Sequence, residues 1–283
     1  MIRSPAGFDG VDRIKRYLDY YQPSYGVTML SAGQFSPLSL FAAGEPGAWY
    51  DPTDFSTMFQ DSAGTTPVTA TGQSVGLILD KSGRGNNAFQ TTPANRPVLN
   101  QDAAGNYYLT FSGSNGLQTN TVTFNTTSTM SVFSGVRKLS DANISIFLEL
   151  SAAPSSTSGS FGIYVPITAG TATYSSFSRG GAAGGYATTA ASYAAPVTNV
   201  LTALFSISAD QNILRLNGVQ AASATNDQGV GNYSNNALFI GRRSGGTFPM
   251  NARLYSLIIR GATSTTAQIN NTEAWVNQRC AAY

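Results

Sequence analysis

The chain carries no histidine, a single cysteine and fourteen acidic residues. Lack of imidazole removes the commonest general base and metal ligand, together with every Ser–His or Cys–His nucleophile pair. Carboxylates remain, and glycoside cleavage needs two of them flanking one bond. Only Glu149 falls squarely within a predicted strand, beside Phe147 and opposite the apolar face, so it reads as solvent-facing. Asp51 and Asp54 are close in sequence, but Asp51-Pro-Thr-Asp54 is turn chemistry, with Asp54 placed to cap a short helical turn holding Phe55, Met58 and Phe59. Asp80 opens a Ser-Gly turn and lacks the cluster of further oxygen donors that calcium needs. No catalytic residue, no metal and no cofactor are assigned.

Binding asks for less than catalysis. A few aromatic faces and hydrogen-bond donors on end loops suffice for a glycan, and Tyr174, Tyr186, Tyr193, Tyr233, Arg242 and Arg243 are available for it. The competing reading packs these tyrosines against their own loops or into subunit contacts. Gly83-x-Gly85-x-x-Ala88 matches a dinucleotide fingerprint after a predicted strand, but Pro93 ends the following stretch before a helix can form, so the glycines read as a turn. Charged residues make up 11% of the chain and the net charge is +2, with no basic stripe, which argues against nucleic acid as a partner.

These residues must be carried by short strands. Candidate strands run over Val75 to Leu79, Tyr107 to Phe111, Met130 to Val136, Ile144 to Leu150, Phe161 to Val165, Thr173 to Phe177, Val200 to Ile207, Ile213 to Leu216 and Leu238 to Ile240. Met130, Val132, Ser134 and Val136 share one face, as do Ile144, Ile146, Leu148 and Leu150, and Leu201, Ala203, Phe205 and Ile207. Asn217-Gly218 after an apolar strand predicts a tight hairpin. Leu254 to Ile259 is apolar on both faces, as a central strand covered on both sides should be. Thr265-x-x-Gln268 fits a capping box, and Ile269, Thr272, Val276 and Cys280 then recur along one stripe, predicting a closing helix with Cys280 buried. Many strands at close spacing with few helices indicate a two-sheet sandwich.

Residues 9–22 predict one earlier helix, with Val11, Ile14, Leu18 and Tyr21 on one face and Pro23 as its stop. Around and beyond it, Tyr17, Tyr25 and Phe35 belong to an aromatic, proline-punctuated stretch without periodicity. Residues 1–46 are therefore expected to be an arm, either packed back on the rest of the chain or, as the functional reading, docked on a partner, and 47–283 the sandwich, including a lead-in over 47–100. No apolar run long enough for a signal peptide or a membrane span is present, which predicts a soluble protein made in the cytoplasm.

Two resemblances add to this. A strand ending Leu216-Asn-Gly, one ending Ile240-Gly, and Arg253-Leu-Tyr-Ser-Leu-Ile-Ile259 before a terminal helix resemble the end of the concanavalin A-like lectin/glucanase group, laminin G-like branch. That likeness, over roughly Trp49 to Tyr283, implies an all-β, concanavalin A-like two-sheet jelly-roll sandwich with a C-terminal helix, to which the N-terminal docking arm read above is added. Glucanases of the group carry their acids as Glu-x-Asp-x-(x)-Glu along one strand, and that pattern is absent. Trp49-Tyr-Asp-Pro-Thr-Asp-Phe-Ser-Thr-Met-Phe-Gln-Asp-Ser-Ala-Gly-Thr-Thr-Pro-Val68, with Asp80-Lys-Ser-Gly-Arg-Gly-Asn-Asn87 and Arg96-Pro-Val-Leu99, resembles a lead-in of tailed-phage and prophage virion proteins. It implies a non-enzymatic virion component, such as a tail, fibre or adhesin protein, with other tail, neck or capsid proteins as partners and host surface glycan as a further contact. A homo-oligomer, with a trimer favoured, is expected from this and from the tyrosine-rich, lysine-poor composition. Polysaccharide depolymerase and free lectin are the alternatives.

Overall fold

Leu254 to Ile259 lies in the strand Asn251–Arg260, and side chains from both of its faces are buried. Leu254, Leu257 and Ile259 enter the core between two sheets, whereas Tyr255 and Ile258 join a second core on the opposite side. The structure is a computed structural model and describes residues 35–283. Strands are numbered in chain order. One sheet runs β15 (Val219–Ala224), β14 (Gln211–Leu216), β13 (Val197–Ser206), β8 (Thr129–Lys138), β17 (Asn251–Arg260), β6 (Tyr107–Ser112) and β5 (Val98–Gln101), with β1 (Gly47–Tyr50) pairing the second half of β17. The other runs β12 (Gly185–Thr188), β11 (Ser175–Arg179), β10 (Ser160–Tyr164), β9 (Ile146–Leu150), β16 (Asn236–Ile240), β7 (Leu117–Val122), β4 (Ala88–Phe89), β3 (Leu77–Ile78) and β2 (Met58–Phe59). The fold is an all-β, two-sheet jelly-roll sandwich.

The first sheet is capped on its outside. Helix α1 (Thr266–Cys280) starts at Thr265, whose side chain accepts from the Gln268 amide while Gln268 reaches back to the Thr265 N–H, the reciprocal box expected from sequence. Val276 and Cys280 are buried on β8 and β17, and Trp275 joins them, edge-on to Trp49 at 5.7 Å. Gly135 of β8 admits the helix end, since a Cβ there would lie 3.0 Å from Cys280 Cβ. Burial pushes the Cys280 thiol up to about 12, in keeping with a packed, unreactive side chain. A 3₁₀ turn, Pro37–Phe41, adds Leu40 and Phe41 to the same outer core. Arg260 at the end of β17 donates to Leu40 O, Thr263 O and Ser264 Oγ and pairs with Glu45 at 2.6 Å.

Several expectations are met residue by residue. Asn217 and Gly218 both take positive φ in the two-residue hairpin of β14 and β15. Met130, Val132 and Val136 of β8 and Leu201, Ala203 and Phe205 of β13 face the central core. Gly83 and Gly85 form a turn with positive φ, and the strand β4 rather than an α-helix follows. Others need correction. Asp54 does not cap the turn Phe55–Thr57; it accepts from Ser56 Oγ and pairs with Lys81 at 2.7 Å, and Met58 and Phe59 form a strand. In β9 an extra residue at Phe147 breaks the alternation against β10, so Ile146 points outward to Tyr164 and Phe177 while Phe147 and Leu148 enter the core. Phe35 to Pro46, assigned to the arm from sequence, belong with the sandwich, because Phe35, Leu40 and Phe41 pack on Trp49 and the outer core. Val11, Ile14, Tyr17, Leu18, Tyr21 and Tyr25 lie outside the described residues, as does the helix predicted over 9–22. No helix among the described residues is long and apolar enough to cross a membrane.

A paired substitution measures the helix docking. Val276→Glu places an unpartnered carboxylate against β8 and β17 and should cost at least about 3 kcal/mol, seen as loss of soluble protein or a collapsed melting temperature. Ala274→Glu, on the exposed side of the same turn, should melt with the parent chain.

Candidate functional site

Residues directly opposite each other on antiparallel strands point to the same face of a sheet. In the second sheet such pairs connect without a gap. Tyr186 faces Phe177, Phe177 faces Gly162, Gly162 faces Glu149 and Glu149 faces Phe239. Phe239 faces Gln118, Gln118 faces Phe89, Phe89 faces Leu77 and Leu77 faces Phe59. The alternate positions, among them Leu148, Ile163, Ile240, Leu117, Ala88, Ile78 and Met58, are core residues, so this row points outward. It crosses all nine strands, a span of about 38 Å at the usual strand spacing of ~4.8 Å. Among the described residues no helix covers it. Phe239, Phe89, Leu77 and Phe59 are half-buried, and Tyr186 is 43% exposed.

One half of the row is charged and aromatic. Glu149 is wholly buried, contrary to its solvent-facing expectation, because the loop after β16 brings Arg243 over it. Arg243 Nη2 donates to Glu149 Oε2 at 3.0 Å, and Nε approaches both carboxylate oxygens at 3.1 and 3.2 Å. The guanidinium in turn lies 5.0 Å from the Phe248 ring centre. Burial raises the Glu149 carboxyl above its ordinary value, more than Arg243 lowers it. Around the pair, Tyr164 folds its ring over Gly162, where a Cβ would sit 3.2 Å from the ring, and Tyr186 packs on Phe177 at 4.8 Å. The result is a rigid aromatic platform with one exposed tyrosine face, one exposed phenylalanine and a fixed guanidinium edge.

The sequence-predicted site residues divide. Tyr186 and Arg243 come together here. Tyr174 and Tyr233 do not belong to the surface, because both are buried between the sheets. Tyr174 donates to Asn199 Oδ1 at 2.9 Å, and Tyr233 shares a 2.7 Å hydrogen bond with Ser178, so burial pushes both phenols well above their usual range. Tyr193 packs edge-on against Tyr174 at 5.8 Å. Arg242 turns away to Ser114 O at 2.9 Å, with its stem pressed on Gly116. Sequence reasoning missed Phe59, Phe89, Phe177, Phe239 and Tyr164 as outward-facing residues. Their common signal was an aromatic at the polar phase of an alternating strand.

Two further acids singled out from the sequence, Asp80 and Asp51, are occupied. Asp80 accepts from Trp49 N, Ser82 N, Ser82 Oγ and Asn86 N, which is a turn-closing set rather than a cation site. Asp51 accepts from Thr53 N and Thr53 Oγ1 and sits 3.5 Å from Lys81. Among the described residues no three acidic or cysteine side chains converge.

No protein-family model matches the chain, and no curated protein matches it in sequence. Solved structures match it in shape. An arabinofuranosidase complexed with arabinofuranosyl-alpha-1,2-xylobiose superimposes with a TM-score of 0.55 at 14% identity, over 88% of this chain and 66% of that one. The receptor-binding domain of botulinum neurotoxin D gives 0.50 at 11% identity, over 70% and 50% of the two chains. The binding domain of botulinum neurotoxin DC in complex with SialylT gives 0.50 at 12%, over 70% and 48%. This chain thus spans about half the length of the neurotoxin domains it matches. At such identities the likeness is one of fold.

The buried pair makes a pH prediction. Folding raises the Glu149 carboxyl, so the native state binds its proton more readily than the unfolded chain. The stabilising contribution is therefore complete below the unfolded value near 4.5 and is lost as pH rises through the higher folded value. Glu149→Gln keeps an acceptor for Arg243 and abolishes this loss. Thermal melts should find the variant as stable as the parent or more so at pH 7, with the difference narrowing by pH 4.

Proposed function

We propose that this chain is a non-enzymatic, glycan-binding component of a tailed-phage virion, a tail, fibre or adhesin protein that holds host surface saccharide on the open face of its second sheet. One observation carries the saccharide reading: in an outward row that crosses the nine strands of the sheet, Tyr186, Phe239, Gln118, Phe89 and Phe59 offer aromatic and amide groups at the surface, with Phe177 buried beneath Tyr186 and the Arg243 edge beside it. Sugar rings offer C–H faces to aromatic rings and hydroxyls to amide and guanidinium donors, and such a row supplies both along an extended chain. The fold neighbours, a neurotoxin binding domain with SialylT and an arabinofuranosidase with its oligosaccharide, support it as sandwiches with saccharide contacts of their own.

The acids support binding without cleavage. The row holds a single carboxylate, Glu149, and it is engaged by Arg243, whereas hydrolysis requires a pair on either side of the bond. A depolymerase would need a second acid from elsewhere, and the free lectin is the variant of this reading in which no particle is involved. The virion assignment rests on the lead-in from Trp49 and on the resemblance it carries.

Two experiments separate the halves of the proposal. On a glycan array the full chain should bind a defined saccharide set, and Tyr186→Ala should weaken it roughly tenfold or more; an empty array overturns glycan binding. Denaturing gels and mass spectrometry of purified particles should contain the chain, and its absence overturns the virion role. Deletion of residues 1–34 should leave the unit from Phe35 onward folded, with unchanged melting, but absent from particles. Normal incorporation of the truncated protein would overturn docking through that segment.

A further inference from the structure

At the β3–β4 end of the row the surface deepens into a cavity of about 380 Å³. Leu77 and Phe89, both members of the row, form an apolar part of its lining. Asn86, Asn87, Asn120 and Thr91 line it with amides and a hydroxyl, and no charged side chain takes part. Two of these amides have fixed orientations. Asn86 donates its Nδ2 to Gly47 O at 2.7 Å, which turns its Oδ1 into the group left to accept. Asn87 accepts at Oδ1 from Asp80 N at 2.9 Å, which leaves its Nδ2 to donate. The Asp80 turn described above thus leaves one amide donor and one amide acceptor unengaged on neighbouring residues that line the cavity together with Leu77 and Phe89.

We propose that this cavity is a subsite for an uncharged 2-acetamido sugar, within the saccharide reading of the open face on which this inference rests. An acetamido group has one carbonyl that accepts, one N–H that donates and one methyl that seeks apolar cover. Asn87 Nδ2 serves the carbonyl, Asn86 Oδ1 the N–H, and Leu77 with Phe89 the methyl. A hydroxyl in place of the acetamido group leaves the apolar floor uncovered and one amide unpaired, which is the kind of loss that gives strong discrimination. Lack of any charged lining residue disfavours sialic or uronic acids at this position. The cavity lies about 29 Å from Tyr186 along the row, six strand spacings of ~4.8 Å, so the ligand that uses both is an oligosaccharide rather than a single sugar.

The test compares two neutral, β-1,4-linked probes that differ only at C2, chitohexaose and cellohexaose, by calorimetric titration of the full chain. Chitohexaose should bind at least tenfold more tightly. Asn87→Asp keeps the acceptor for Asp80 N and removes the donor, and Thr91→Trp fills the cavity from an exposed position. Both should melt with the parent and lose the preference. Equal binding of the two probes by the parent chain, or a preference that survives both substitutions, overturns the subsite while leaving the open-face reading intact. If neither probe binds but an array signal is present and falls on Tyr186→Ala, the subsite again fails alone. A blank array removes both.

Discussion

A guanidinium almost out of water must be surrounded by acceptors, and Arg260 meets that demand at the end of the central strand. Its acceptors come from separate stretches of chain: Leu40 O from the 3₁₀ turn, Glu45 from the approach to β1, and Thr263 O and Ser264 Oγ from the lead into α1. Because one side chain satisfies itself from all of these, the segment before β1 and the segment after β17 are drawn onto the same outer face. The two tryptophans then meet there, with Lys81 over Trp49 and Arg279 over Trp275. One sheet acquires a second hydrophobic layer in this way, and the other has only the small outer cluster of Ile146, Tyr164 and Phe177.

The open sheet is kept in shape from the inside rather than by a cover. Near β11 polar groups join the two sheets, Ser176 to Asn212 at 2.6 Å and Tyr174 to Asn199, and tie Ser178 to Gln228 and Tyr233 of the segment between β15 and β16 at 2.7 Å. Every member is buried and paired, so the network fixes strand positions without costing the desolvation that an unmatched hydroxyl would. The outward row inherits its regularity from that fixation.

Much of the fold was legible because its signals are local. The capping box at Thr265, the Asn217-Gly218 turn, and the alternation in β8 and β13 each depend on residues within a few positions of one another. The site was not legible in the same way. Its row takes one residue from each of nine strands scattered between Phe59 and Phe239, and no sequence spacing encodes which positions will face each other across a sheet. The extra residue at Phe147 reverses the expected phase of Ile146, and Glu149 then becomes buried only because a loop nearly a hundred residues later lays Arg243 across it. The strand expected over Thr173 to Phe177 forms as Ser175–Arg179, but its buried serines gave no apolar pattern to fix its faces, since hydrogen bonding has replaced apolar packing there. Tyr174 and Tyr233 looked available for the same reason: a tyrosine whose hydroxyl finds a buried partner cannot be told by type from one that faces water.

The placement of Phe35 and of α1 on the capped sheet has a directional consequence. Both the entry into the sandwich and its closing helix sit on the side away from the aromatic row, so a tether attached through either would leave from the back of the molecule. Whatever is held there, the open face would look the other way, toward the medium. Under the proposed function, copies fixed side by side on a support would then all offer their rows outward at once, and weak contacts to individual sugars would add through the number of faces rather than through the strength of any one.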